Sequence, residues 1–408
     1  LLLDGVASVS AIMRHVAATL LLAATIVVVT LVFCSLGVTY LHDNGAEKLG
    51  QTLTQLQPML ATELEDNREM KPNLSLKKTK RSNIFFLKAH KCASSTIQNI
   101  LMRFGLEHGL SFVLPMKTNY LGSPQLFHAN MIQDDYATVS GKYSIFTHHT
   151  RYDTEQVRTV MFDDAAFVTV LRHPADLYES IYSYYNLKDF YNITFEQLLK
   201  SPKQLKDIEV RRYVGKIGLN QMSFDLGLSE NDFNSSEKVE EFIKKIDAEF
   251  DLVMISEWME VSLVLLADLM NWPLDHVQSL KINVRSPEAI YDMSSEERLT
   301  VLEWNSVDYK LYTHFLDKFK QKVRDYGKER MIHDVVRLLT LNSKLHYRCV
   351  DSINNEGFSG TQSYNLRNKA DWLCYYAAKA ELAFTEDLRI FQFNNVKILN
   401  KLMGLFPN

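Results

Sequence analysis

The stretch Ile84–Phe104, IFFLKAHKCASSTIQNILMRF, constrains the fold of this chain more than any other. Its apolar run Ile84-Phe85-Phe86-Leu87 stops at Lys88, and a polar stretch follows through Thr96. Ile97, Ile100, Leu101 and Phe104 then recur at i, i+3, i+4 and i+7, the spacing of a helix that packs one face on a core. Strand, basic hydroxyl-rich loop and helix together suit a phosphate. N–H groups at a helix N-terminus lack intrahelical acceptors, and the helix dipole is positive there. The same residues also fit an ordinary strand-to-helix turn in which Ser95 and Gln98 form a capping box.

Downstream, short β runs alternate with helical ones. Tyr143–Thr147, Phe167–Leu171 and Asp251–Ile255 are expected as strands, with Ser236–Ile246 and Met259–Met270 as crossover helices. This alternation predicts an α/β fold, a mostly parallel sheet flanked by helices. Ligands of such sheets bind beyond the C-terminal strand ends, which directs attention to Lys88–Thr96, His148 and His149, Arg172 and Glu257. After the third run, Pro174 suits the first turn of a helix, leaving Arg172 at the strand end and Ser180 two turns into the helix. An arginine fork and a hydroxyl so placed suit a second phosphate. Alone, they equally fit an arginine paired to a carboxylate and an exposed serine.

Before the α/β region, Val16–Leu41 holds 26 residues without Asp, Glu, Lys or Arg, long enough to span a bilayer and longer than a signal-peptide core. An uncleaved signal anchor is expected, with residues 1–15 as a short cytoplasmic tail. Arg14 favours that orientation, and the sequons at Asn73, Asn192 and Asn234 all fall on the lumenal side. Residues 42–82 form a polar stem ending in the basic run 77–81, expected to be solvated, and residues 83–408 form the lumenal domain. The chain opens on Leu1, so a preceding segment is expected. A net charge of −4 speaks against nucleic acid as a partner, and the four cysteines include no CxxC or Cys/His cluster that would propose zinc.

The two constellations together resemble the phosphosulfate-binding motifs of sulfotransferases that use 3′-phosphoadenosine 5′-phosphosulfate (PAPS). FFLKAHKCASST, VTVLRHPADLYESIYSYYN and FTHHTRYD are similar to segments of the galactose 3-O-sulfotransferase family, and the resemblance continues through NQMSFDLGL (220–228), KINVRS (281–286) and EWNSVDYKLYTHF (303–315). It implies a P-loop-like sulfotransferase fold in the Golgi lumen. It also implies that Lys91, with Lys88 as a second cation, contacts the phosphosulfate, and that Cys92, Ala93, Ser94, Ser95 and Thr96 cradle the 5′-phosphate. Arg172 and Ser180 would hold the 3′-phosphate. Cys92 departs from the family's usual Thr, a better hydrogen-bonding partner for a phosphate oxygen.

A sugar hydroxyl needs a general base, for which His149 is the first candidate and His148 the second. The expected partners are a galactose-terminated glycolipid or glycan and the membrane that holds the anchor, with a homodimer left open; no metal is expected. An oxidising lumen makes a Cys349–Cys374 disulfide reasonable, and residues 316–408 are expected to be helical and to pack on the catalytic domain. Two other classes stand beside this one. A P-loop kinase is disfavoured because KAHKCASST lacks the glycines of the nucleotide loop, and a lumenal binding protein without activity is kept open by Cys92.

Overall fold

Strands that are continuous apolar runs bury both faces, and this happens at the centre of the chain. The computed structural model describes residues 79–200, 211–282, 285, 290–357 and 361–402. All of them belong to one unit, 71–408. Five strands, β1 (Ile84–Leu87), β2 (Phe112–Val113), β3 (Ile145–Phe146), β4 (Ala166–Leu171) and β5 (Leu252–Ile255), form one sheet in the order β2-β3-β1-β4-β5, every pair parallel. The chain leaves β1 towards one edge and later returns to the other side of it at β4. The loops after β1 and β4 therefore flank the point where the strand order reverses, where ligands bind such sheets.

Helix α1 (Ser94–Glu107) follows β1 and is buried over most of its length, including Ile97, Ile100, Leu101 and Phe104. At Gly105 it passes so close to the sheet that an added Cβ would lie 2.3 Å from Phe112 Cζ and 2.5 Å from Ile145 Cδ1. The crossovers include α2 (Thr154–Val160), α3 (Pro174–Tyr184), the short α4 (Gln221–Asp225) and α5 (Ser236–Glu249), and α6 (Met259–Met270) follows the last strand. Beyond them come α7 (Ser306–Tyr326), α8 (Lys328–Cys349), a hairpin of β6 (Val350–Asn354) and β7 (Ser363–Leu366), then α9 (Trp372–Ala378) and α10 (Glu381–Leu402).

The expected strands and helices are all present, but Met259–Met270 follows the last strand of the sheet and so is not a crossover, and other differences have physical causes. The Tyr143–Thr147 run narrows to β3, while Tyr143 bridges to Met161 instead. β2 is two residues long, too short for an alternation signal. The C-terminal segment is not wholly helical, because the β6–β7 hairpin interrupts it. The capping box at Ser95 and Gln98 is not formed. Ala93 occupies the N-cap position, and Gln98 Nε2 donates instead to the Thr147 carbonyl at 2.9 Å. The end of the basic run is docked rather than solvated: Arg81 donates through its backbone to Met270 and through its side chain to the Asp164 carbonyl. The apolar run 16–41 lies outside the described residues; among those described, no helix is long and apolar enough to cross a membrane.

Cys349 and Cys374 form a disulfide that ties α8 to α9, within a small core of Leu280, Leu345, Val350 and Ala377. It closes a separation of 25 residues. Replacing both cysteines by serine is expected to lower stability by about 3 kcal/mol, from the lost restriction of the unfolded chain. Denaturant unfolding under oxidising conditions measures it, and an unchanged midpoint would contradict it.

Candidate active site

The loop that leaves β1 turns through two left-handed residues, Lys91 (φ 56°) and Ala93 (φ 55°), although neither is a glycine. Such positions are strained for side chains with a Cβ and collect at functional sites. Their geometric effect is to turn successive N–H groups to one side, a concavity that suits an anion. The backbone N–H groups of Lys91, Cys92, Ala93 and Ser94 find no acceptor among the described residues, and they lead directly into the positive end of α1. Arg172, at the end of β4, donates through Nη1 to the Lys91 carbonyl at 3.0 Å, so the two strand-end loops are tied together.

The side chains of this loop divide by direction. Lys91 places its ammonium 3.4 Å from the centre of the Tyr184 ring. Burial, then the nearby charges of Arg285, Arg172 and Lys88, push its pKa down to about 7. Cys92 is fully buried, with its Sγ against the His90 carbonyl at 3.4 Å, and burial pushes its thiol pKa up. The Cys92 thiol thus faces the loop's own interior, and only its N–H remains for a ligand. The Ser94 hydroxyl donates to the Ala89 carbonyl at 2.7 Å and so braces the loop. Thr96 is buried and Ser95 half-buried at the start of α1. Lys88 is 2% exposed, and its ammonium is held by Glu381 at 2.5 Å.

A stack of rings closes one side. His149 lies 4.2 Å from the His90 ring centre and 5.0 Å from that of Tyr120. His149 Nδ1 is 3.0 Å from the Lys88 carbonyl. A carbonyl only accepts, so Nδ1 carries the hydrogen and the lone pair of the neutral ring sits on Nε2, which has no hydrogen-bond partner among the described residues. Burial, then the charges of Lys88 and His90, hold its pKa well below the usual value, so the ring is neutral at physiological pH. His148 points the other way along the chain. It is fully buried, hydrogen-bonded through Nε2 to Thr385 at 2.9 Å, and lowered by burial to about 4. His90 bonds to Asp225 through both its backbone N–H and Nδ1 (2.8 Å), and through Nε2 to the Tyr120 hydroxyl at 2.9 Å. Asp225 arrives on α4, whose N-terminal N–H groups, those of Met222 and Ser223, donate to the buried Asp308 carboxylate of α7.

A family model described as Galactose-3-O-sulfotransferase matches residues 9–368. The chain belongs to the galactose-3-O-sulfotransferase family. It is 35% identical over 275 residues to galactosylceramide sulfotransferase of Bos taurus, a match that covers 66% of this chain and 64% of that relative. It is 31% identical over 339 residues to galactose-3-O-sulfotransferase 2 of Sus scrofa, covering 76% and 84%. The chain thus spans just under two thirds of the galactosylceramide sulfotransferases it matches.

Of the residues expected at the site, Arg172 bonds to the Lys91 carbonyl and His149 to the Lys88 carbonyl, both on the loop after β1. Ser180 is buried on α3 beside Glu179, which holds Arg285 in an ion pair. Tyr120, Asp225, Arg285 and Glu381 were not singled out from the sequence. Asp225 and Arg285 fall in stretches of family resemblance, NQMSFDLGL and KINVRS; Tyr120 and Glu381 carry no local signal. Among the described residues, no three His, Cys, Asp or Glu converge to hold a metal ion.

Proposed function

We propose that this chain transfers a sulfuryl group from PAPS to the 3-hydroxyl of a terminal β-galactose, on a galactosylceramide-type glycolipid or a glycoprotein glycan. We place it in the Golgi as a single-pass type II protein, with residues 16–41 as the anchor, 42–82 as the stem and the catalytic domain in the lumen. The observation that carries the reading is the row of four N–H groups without an acceptor among the described residues, Lys91 to Ser94, at the head of α1, with Lys91 and Arg172 beside it, in a chain of this family. Those groups fit a polyanionic donor. PAPS supplies the activated sulfuryl group when bound.

In this scheme the loop N–H groups, Ser95 and Thr96 hold the 5′-phosphate end, while Arg172 and Ser180 serve the 3′-phosphate. Lys91 neutralises charge where the sulfuryl group departs, the kind of pre-set electrostatic support on which such transfers depend. His149 takes the acceptor hydroxyl proton on Nε2. Transfer of label from PAPS to galactosylceramide, lactosylceramide and galactose-terminated oligosaccharides tests the whole reading. Folded protein that sulfates none of them would overturn it.

The Lys91 ammonium also sets a pH dependence. With its pKa near 7 in the free protein, Lys91 is charged below that pH and neutral above it. A bound anion favours the charged form, so affinity is greatest below pH 7 and declines as pH rises through that value. Between pH 7 and 9 the phosphate monoester is already ionised. Affinity for 3′,5′-adenosine bisphosphate (PAP) is therefore expected to fall by up to about tenfold per pH unit over that range, by linkage to one proton. Calorimetric titration measures it, and a flat profile would refute the assignment to Lys91.

A further inference from the structure

Helix α10 lies beyond residue 368, where the family match ends, yet it grips the site through polar side chains. Glu381 accepts from Lys88 Nζ at 2.5 Å and from Asn119 Nδ2 at 3.1 Å. Thr385 donates to the Glu381 carbonyl at 2.8 Å, so it is the acceptor for His148 Nε2–H. Arg389 donates to the carbonyls of Pro115 and Thr118, and Gln392 pairs with both the N–H and the C=O of Phe112 on the edge strand β2. Positions 381, 385, 389 and 392 fall at i, i+4, i+8 and i+11, one face of the helix. That face is laid along the loops that carry the two histidines.

The contact at Glu381 passes onward by one further bond. Lys88, whose ammonium Glu381 holds, is the residue whose carbonyl receives the His149 Nδ1–H. We propose that Glu381 is a positioning residue for His149: by fixing Lys88 it keeps that carbonyl in place, and with it the tautomer that leaves Nε2 bare. Thr385 does the same from the other side, holding His148, the neighbour of His149 in the chain. Neither residue needs to touch substrate for this. The kinetic part of the inference rests on the sulfotransferase reading; the tautomer part does not.

The variant Glu381→Gln in the full chain separates this role from a part in donor binding. Lys88 is buried, and burial already presses its pKa down against the pull of Glu381. Without the carboxylate the ammonium keeps only an amide oxygen to donate to, and the charge assistance of that bond is gone. The loop N–H groups, Lys91 and Arg172 keep their own contacts, while the hold on Lys88 is weakened. The expected result is a kcat for sulfate transfer lower by about tenfold, as for other small misplacements of a reacting group. PAP affinity should fall by less than kcat, since none of the groups assigned to the donor is replaced.

Histidine 15N NMR of the unliganded protein should show His149 passing from one tautomer to a mixture, and Glu381→Asp should recover part of kcat. Where Glu381→Gln does not fold, Thr385→Val carries the test with the same split between kcat and PAP affinity. An unchanged kcat with an unchanged tautomer overturns the inference. So does a loss of PAP affinity as large as the loss of kcat, since that would put Glu381 in the donor cradle. A wild-type protein that transfers no sulfate overturns the sulfotransferase reading instead, and the tautomer measurement then still decides the positioning role.

Discussion

Replacing Lys91 by methionine is expected to lower kcat/KM for PAPS by about 10²–10³-fold, the usual cost of removing one pre-set charge-stabilising donor. Methionine keeps an unbranched apolar stem, one atom shorter, and loses the ammonium, the group that lies over the Tyr184 ring. Left-handed backbone at position 91 is no harder for methionine than for lysine, so the loop keeps its shape. Because Lys91 is also the group expected to titrate near 7, the variant should lose the decline of PAP affinity between pH 7 and 9 along with the activity. Steady-state kinetics with varied PAPS, together with PAP titrations at several pH values, measure both. A variant within about threefold of wild type would remove Lys91 from the centre of the site, since one charge-stabilising donor is expected to matter far more.

The second large effect is expected at His149. Alanine there removes the bare Nε2, and kcat should fall by about 10²–10⁴-fold, the range for loss of a general base. PAP affinity should change little, because the His149 ring is neutral in the free protein and adds no charge to the cradle. The drop should therefore appear in kcat at saturating donor, opposite in character to the Lys91→Met result. Full activity in His149→Ala would transfer the role of base to another group. His90 is the neighbour in the stack, although its Nε2 is already bonded to Tyr120.

These expectations reach back unevenly to the sequence. The strands β1, β4 and β5 and the helices α1 and α6 were legible to within a few residues, because each is a contiguous apolar run or stripe bounded by a polar break. The loop after β1 was legible for the same reason: its residues are neighbours in the chain, and a strand feeding a helix dictates where they lie. Cys92 shows the limit of that legibility. Its identity is plain in the sequence, but whether its side chain or only its N–H reaches a ligand depends on the left-handed turns on either side of it, at Lys91 and Ala93.

What the sequence by itself determined is the parallel α/β framework, the family, and the short segments whose function lies in adjacent residues. Only the tertiary structure decided which of two consecutive histidines is walled in, and which distant side chains serve the loop. Asp225 reaches His90 across 135 positions and Glu381 reaches Lys88 across 293. Helix α10 gives the physical reason most plainly. It buries Thr385 and Gln392 beside Phe384 and Leu388 and exposes Leu382, Ile390 and Phe393, so hydrophobic periodicity marks only part of its docked face. The polar partners of that face are Lys88 just after β1, His148 two residues after β3 and the edge strand β2, backbone and side-chain groups that need hydrogen bonds. The polar groups of such a face have no address until the sheet edge and strand ends they satisfy have been assembled, and here that address is the candidate active site.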